Sequence, residues 1–512
     1  MIQPAPEADR PSPAEPATRR KFFRDALAAV AVAPAIIRSR DKHPRKTELA
    51  RRAAPQQIAD STIPPPATWA DPRLRLVRRA TMGLTAADVA AVKQDGYQQW
   101  LNDQVHYADI DDTDMDAAIA ARYPLLSQTA TQLSTANAGT VQNQLQEATI
   151  YRAAFSKRQL YERMVEFWSD HFNISITKVG YLKVVDDREV IRKYALGKFS
   201  DLLWASAHSG AMLAYLDQTQ SRVGAPNQNY AREIMELHTL GVNGGYTQTD
   251  VAELSRVLTG WTTTGAGDFF FNAARHDFGA KTVLGTTIPA SSPAVGAAAV
   301  SEGEQMLKLL ASHPSTATFI ATKLLKWLLT PEPTTSQINT IAGVFRATKG
   351  DIKLVVRAIL NDAWVGNAPA KFKRPFHHVV SSLRATQPAV ASTSGMRGQL
   401  NIVGQQLFFW ETPDGYPDTV EYWSGNIEPR WSFATTMSTQ NSATSVQLST
   451  AAYLSGSPAA AIDKIDTDYF GGEMSLALRS ALLGYISGGT LTDTRVRETI
   501  ELALSAAEFQ WY

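Results

Sequence analysis

The sequence predicts a mainly α protein: one large multi-helix domain with long ordered loops and very little strand. Three observations carry this reading. Apolar residues recur at helical spacing through most of the chain from Asp71 onward. Strand-like patterning is confined to a short stretch around Phe269 to Asn272. No repeat of fixed period runs through the sequence, which argues against a solenoid. Of the 512 residues, 44% are hydrophobic and 19% charged, enough apolar surface to bury a large core and to exclude a disordered chain.

Taken in order, the first segment reads as an address. Arg19 and Arg20 are followed by Phe22 and Phe23, then by an uncharged, Ala-rich run from Ala26 to Ile37. That run is too short to span a bilayer, which takes about 20 apolar residues. With Ala33-Pro34-Ala35 as a small-residue cleavage signal, residues 1–38 form a twin-arginine-type signal peptide. The expected destination is the periplasm or the exterior, with no membrane span in the mature chain. Residues 39–68 are rich in Arg, Lys, Pro and Gln and read as a linker. A single helical body is then expected over 69–512.

Within the body, Thr85 and Asp88 carry a capping-box pattern that opens a helix with Val89 and Val92 inward. From Arg158 to Phe172, an apolar stripe runs through Leu160, Met164, Phe167, Trp168 and His171. Helices are also predicted over Asp186–Leu196, Leu202–His208, Asn229–Leu240, Thr249–Leu258, Glu302–Ala311, Pro314–Leu329, Thr335–Ala347, Ile352–Leu360, Phe376–Thr386 and Thr494–Ala507. Between Trp410 and Arg430 the period breaks at Pro413, Gly415, Pro417, Gly425 and Pro429, a long loop kept ordered by its aromatic residues.

Composition also narrows the function. Fifty basic against forty-nine acidic side chains leave a net charge of +1, which gives no footing for nucleic acid as a partner. The absence of cysteine excludes disulfides, thiolate nucleophiles and thiolate metal sites. Any metal would have to rest on histidine and oxygen ligands; the cofactor is left open, with a divalent metal as the candidate. G-x-S-x-G, H-E-x-x-H and complete phosphate-loop or dinucleotide glycine patterns are missing.

Chemically able side chains are densest between Asp170 and Asp277. At 100° per residue, Asn229, Arg232, Glu233 and Glu236 share one helix face. Two carboxylates at i, i+3 beside an arginine make either an acid/base pair or a solvated, salt-bridged face. On the first alternative the catalytic candidates are Glu233, Glu236, Arg232 and Asp217. Asn227, Asn229, Trp410 and Tyr416 are candidates for binding substrate. His171 with Asp170, and His276 with Asp277, each join an imidazole to an adjacent carboxylate, the pairing a metal ligand and its orienting partner use. They are the metal candidates, with the two histidines expected in one cleft. His238 falls in an apolar arc and reads as a core residue.

These residues, taken together, resemble a known family. Arg78-Arg79-Ala80-Thr81-Met82-Gly83 with Trp100-Leu101, the string Phe167 to Phe172, and Asn227 to Leu237 carry the resemblance. Gly245-Tyr246-Thr247 with Asp250, Leu258 to Trp261, His276-Asp277, Lys373-Arg374-Pro375, Gly404-Gln405, Gly415-Tyr416 and Ala507 to Gln510 extend it. The chain is similar, from about residue 73 to its end, to the bacterial family labelled domain of unknown function 1800. The resemblance implies export. It also implies a neighbouring partner of the family labelled domain of unknown function 1501, which looks related to sulfatases and alkaline phosphatases. It implies no reaction. This chain departs from the family at Gln228, where a glutamate is usual, near His377, where an acidic residue is usual, and at His238, where an aromatic is usual.

Two functions follow as expectations. One is an exported hydrolase-like enzyme, metal-assisted through a His/carboxylate site, acting on an envelope or extracellular polymer or glycan. The other is a non-catalytic exported binding or assembly protein that works with the neighbouring partner. In that case the same polar residues form a network that fixes helix packing.

Overall fold

The computed structural model describes residues 69–439 and 445–512. The signal-like segment 1–38 and the linker 39–68 lie outside the described residues. Helices dominate, and strands occur as three two-stranded antiparallel pairs. Trp261–Thr263 pairs with Phe269–Phe271, Lys281–Val283 with Thr286–Ile288, and Ala389–Val390 with Val446–Gln447.

The helix ends follow the capping chemistry of the sequence. Thr85 accepts from the Asp88 amide at the head of Ala86–Asp95, with Val89 and Val92 buried. Full capping boxes open Gln248–Val257, through Thr247 and Asp250, and Thr335–Ala347, through Thr334 and Gln337. Each supplies partners for amides that a helix start leaves bare, contributing about 1 kcal/mol.

Two predicted helices differ in winding. The expected Asp186–Leu196 helix is an α-turn, Leu182–Asp186, that passes into a π-helical segment, Asp187–Arg192. Likewise, Asn229–Leu240 is Gln228–Glu233 followed by π-helical Ile234–Thr239. A π-turn stacks residues i and i+5, which α-periodicity places far apart around the axis. The expected loop over 410–430 is also shorter than its breakers suggested. A helical turn, Val420–Trp423, and the helix Ile427–Ser438 fall within its second half. Pro429 sits in the first turn of that helix, where its missing N–H costs nothing. The helices Ala138–Phe155 and Leu476–Ile486 carry no clean apolar stripe and escape a periodicity reading.

The largest apolar core joins Trp168, Phe172, Phe199 and Tyr230 from helices and their ends with Trp261 from the first strand. A C-terminal cluster gathers Ile465, Phe470, Leu482, Ile500 and Phe509. Between them runs Pro375–Thr386, every residue of which is buried. The chain's last residues close this arrangement as a short antiparallel pairing with residues 371–373: the Lys371 amide donates to the Tyr512 carbonyl at 2.8 Å, and the Tyr512 amide to the Lys371 carbonyl at 2.9 Å. The Tyr512 ring lies 5.2 Å from the Arg79 guanidinium and 5.3 Å from that of Arg163, and its hydroxyl accepts from Arg163 at 3.2 Å.

Tyr512→Ala should therefore lower stability by on the order of 3 kcal/mol, because it removes a buried ring together with the face that offsets two buried cations. Urea unfolding followed by circular dichroism checks this. A loss below about 1 kcal/mol would mean the tail is not part of the cooperative unit.

Candidate functional site

The helix Gln159–His171 has two working faces. Its apolar stripe faces the main core, and Glu162, Glu166 and Asp170 follow one another at i, i+4 and i+8 along a second face. All three carboxylates line one cavity of about 40 Å³, room for about three waters. Asp187, Arg374, Gln405 and Tyr416 complete its polar wall, with Val165, Phe376, Leu407 and Phe408 the apolar one.

Three guanidinium groups hold the carboxylates. Arg192 donates to Glu162 through both terminal nitrogens at 3.0 Å, and its Nε donates to Asp187 at 3.0 Å. That Asp187–Arg192 pair spans five residues, the spacing a π-turn stacks and an α-turn does not. Arg374, the residue before Pro375–Thr386, donates to Asp170 at 2.6 Å and to Glu166 at 2.5 Å. Arg163 approaches Glu166 from the other side at 3.2 Å. Burial lifts the Asp170 carboxyl above its usual range; Arg374 opposes this and Glu166 adds to it. Burial works against the charged form of Arg374, but its carboxylate partners outweigh this and raise its pKa, so it stays charged. Lys323, also near Asp170, is pushed down to about 8 by burial. The cluster thus combines a carboxyl of raised pKa with fixed positive charge.

The aromatic loop closes over the end of this helix. Asn173 donates to the carbonyls of Trp410 and Thr412, at 3.1 and 2.7 Å. Tyr416 donates to the Gln406 carbonyl, and Trp423 to that of Pro417. Gly415 has φ +76°, and a Cβ there would lie 2.3 Å from the Asp170 carbonyl oxygen, so the loop can touch the helix end only with glycine at this position. Trp410, Tyr416, Tyr422 and Trp423 form a ring-to-ring cluster with centroids 4.7–6.0 Å apart, and Tyr422 is 51% exposed.

Asp170, Trp410 and Tyr416, assigned separately from sequence, meet here. The other candidates are spread elsewhere. His171 is enclosed by Phe167, Trp168, Phe172 and Phe319, its Nε2–H donates to the His238 carbonyl at 3.1 Å, and burial holds its pKa far below the usual value. His238 is a core residue, pushed down to about 3 by burial. His276 donates through Nδ1 to the Thr259 carbonyl at 2.8 Å, and its Nε2 lies 3.3 Å from Glu302, which Lys281 also engages. Asp277 is held below its usual range by hydrogen bonds from Arg256. The two histidines therefore do not share a cleft. Among the described residues, no group of three or more His, Asp or Glu side chains is placed to hold a metal ion.

Asp217 is exposed, in a left-handed conformation, and paired with Lys178 at 2.9 Å. Asn227 caps its helix and donates to the Leu216 carbonyl at 2.7 Å. Asn229 is exposed, Arg232 donates to Gln248, and Glu236 accepts from Tyr246 at 3.3 Å. Glu233 is half-buried on the same helix but does not line the Asp170 cavity. Sequence reasoning passed over Glu162, Glu166, Asp187, Arg192 and Arg374. The signal for the first two was present: carboxylates every four residues on a helix whose other face is apolar.

A model of the family described as "Protein of unknown function (DUF1800)" matches residues 75–511. No curated protein and no solved structure matches the chain.

Two variants separate the energetic roles in this cluster. Arg374→Met should cost roughly 3–5 kcal/mol, since it removes the one cation that bonds Asp170 directly and one of the two on Glu166. Asp170 should make the parent less stable as pH rises. Its folded-state pKa lies above the unfolded value near 4, so over that window the native state holds more protons than the unfolded chain. Urea unfolding between about pH 4 and pH 7 should show this downward contribution in the parent and not in Asp170→Asn. Parallel curves for the two proteins would refute it.

Proposed function

We propose that this chain, which belongs to the DUF1800 family, is an exported hydrolase-like enzyme whose acid/base pair is Asp170 and Glu166, acting on a polymer laid across the Trp410–Trp423 loop. The observation that carries the reading is the cavity itself: a carboxylic acid with a raised pKa, a second carboxylate, and room for water beside an aromatic surface. Asp170, whose pKa burial raises, would donate to a leaving group from its protonated form. Glu166 would orient or deprotonate a water in the cavity, and Arg374 would hold both carboxylates in register. The exposed Tyr422 and half-buried Trp410 offer flat faces to a chain too large to enter the cavity. This relocates the acid/base pair from the Glu233–Glu236 face, whose carboxylates line no part of this cavity.

A second reading has its own support. Every carboxylate lining the cavity accepts from an arginine, which is what a network fixing helix packing would require. On that reading the protein binds or assembles, with the family labelled domain of unknown function 1501 as the expected partner, and the aromatic loop is the contact surface.

Polymer turnover by the purified protein, measured as release of reducing ends or soluble fragments from cell-envelope material, separates the two. For the enzyme, Asp170→Asn and Glu166→Gln each lower turnover at least a hundredfold, the usual scale for a lost acid or base, while Tyr422→Ala acts mainly on apparent affinity. If parent and variants release nothing, the network reading stands. Export is tested apart from chemistry. Arg19→Lys with Arg20→Lys should retain the precursor in the cytoplasm, since the translocase reads the paired guanidinium groups. Undiminished export of that double variant would remove the twin-arginine assignment.

A further inference from the structure

The π-helical segment Asp187–Arg192 has a second side. Asp187 and Arg192 turn toward the carboxylate cavity, while Glu189, with Lys193 just beyond the segment, lines a separate open cleft of about 270 Å³. That volume approaches the lower end, about 300 Å³, of ordinary ligand pockets. No residue proposed above for catalysis or substrate binding lines it.

The floor of the cleft is Trp204, 44% exposed, the one tryptophan among the large exposed hydrophobics of the described residues. Its ring is not loose. His208 stacks on one face at 4.1 Å and 24°, and is itself wedged against Trp261 at 4.6 Å and Phe269 at 4.4 Å. His208 Nδ1–H donates to the Trp204 carbonyl at 2.8 Å, and burial lowers the imidazole pKa, so the stack is uncharged near neutral pH. A large indole, braced from behind and left in water, forgoes burial worth about 2 kcal/mol or more. Its N–H makes no hydrogen bond within the described residues.

The rim is polar and of mixed charge. Asp268 is exposed, with no side-chain partner among the described residues, whereas Glu189, also exposed, accepts from Arg188 at 2.8 Å and has Lys193 at 4.0 Å. Asp186, by contrast, is already used by Lys183 and Ser209. The wall that carries Asp268 is fixed by a close backbone approach: a Cβ on Gly210 would lie 1.7 Å from the Gly267 carbonyl oxygen. The Trp261–Phe271 hairpin can press against the Gly210–Tyr215 helix only because no side chain intervenes there.

We propose that this cleft is a saccharide-binding site for a pyranose of a neutral or amino sugar. The C–H face of the ring stacks on Trp204, and its hydroxyl or ammonium groups donate to Asp268 and Glu189. A single braced aromatic plane with acceptors at its edge matches a flat ring that is apolar on its face and polar around its rim. The unpaired Asp268 carboxylate repels a phosphorylated, sulfated or uronic group placed beside it, while Glu189, already engaged by Arg188, still has acceptor lone pairs for a hydroxyl. A basic peptide side chain would favour several open aromatic walls, whereas the Phe269 and Trp261 rings here are occupied by His208. The proposal does not rest on the hydrolase reading and shares no residue with it.

The test titrates the full chain with hexamers of glucose, glucosamine and N-acetylglucosamine, followed by intrinsic fluorescence and calorimetry. At least one hexamer should bind, and Trp204→Ala should weaken it by about tenfold or more. Asp268→Asn should weaken the glucosamine hexamer more than the glucose hexamer, because only the former loses a charged partner. Polygalacturonate should not bind. The proposal is overturned if no hexamer binds, or if Trp204→Ala binds as the parent does with an unchanged circular dichroism spectrum. It is overturned equally if polylysine binds in a Trp204-dependent manner while the hexamers do not.

Discussion

Buried positive charge is the constraint around which this protein is organised. Arg78, Arg79, Arg163, Lys371, Lys373, Arg374, Arg384 and Arg430 are all buried. In a chain without cysteine, nothing covalent supports the interior that contains them. Three kinds of partner offset the desolvation of these groups. Carboxylates take Arg374, Lys371 and Arg384; carbonyl oxygens take Arg79, Arg430 and Lys371 again. Aromatic faces add to these: Lys373 lies 3.8 Å from the Phe509 ring centroid and Arg163, which also bonds Glu166, 4.5 Å from that of Trp327, while Arg78 pairs with Glu473. Each guanidinium reaches across elements distant in sequence, so the cations act as the ties that disulfides supply elsewhere. Arg374 alone joins Gln159–His171 to the start of Pro375–Thr386.

The fold was legible because its main elements obey period and capping rules. Thr85 opens its helix as its capping-box pattern predicts, and Thr247 and Thr334 cap the predicted helices that follow them. What escaped notice did so for stated reasons. Ala138–Phe155 buries small and polar residues such as Ala148, Ala153 and Gln146 along with its few large ones, so no stripe betrays it. The π-segments after Asp186 and Glu233 cannot be read from a 100° wheel, since their hydrogen bonds skip an extra residue. The stretch past Trp410 reads as loop throughout because proline breaks a helix interior, yet Pro429 falls in the first turn of Ile427–Ser438, where proline is tolerated.

The site was less legible, and the difference is one of range. Adjacent residues suggested Asp170–His171 and His276–Asp277 as units, yet neighbours on a helix diverge by about 100°. Asp170 therefore faces Arg374 while His171 points into the aromatic core. The partners that matter to Asp170 lie more than two hundred residues away in sequence, and no local pattern marks Arg374 as one of them. Trp410 and Tyr416 were found because aromatics in a proline- and glycine-rich loop are anomalous on composition alone. The Glu162, Glu166 and Asp170 series was visible, but polar helix faces are usually solvated, so only burial distinguishes this one.

The winding of one short segment links the carboxylate cavity with the Trp204 cleft. In an α-helix, Asp187 and Arg192 would stand about 140° apart, and Arg192 could not bond Asp187 and Glu162 together so easily. The π-turn brings them onto one face, toward Glu162, and leaves Glu189 and Lys193 to the other. Insertion of a wider turn thus does two things at once. It supplies the paired cation that lets Glu162 and Asp187 be buried beside the cavity, and it forms a wall of the cleft over Trp204. Because a π-turn makes weaker use of its hydrogen bonds than an α-turn, it persists where side-chain contacts favour it. Here the contact is the Asp187–Arg192–Glu162 bridge. The ion pair buried on one side of the segment and the residues that wall the outer cleft on the other are thus set by one turn of backbone.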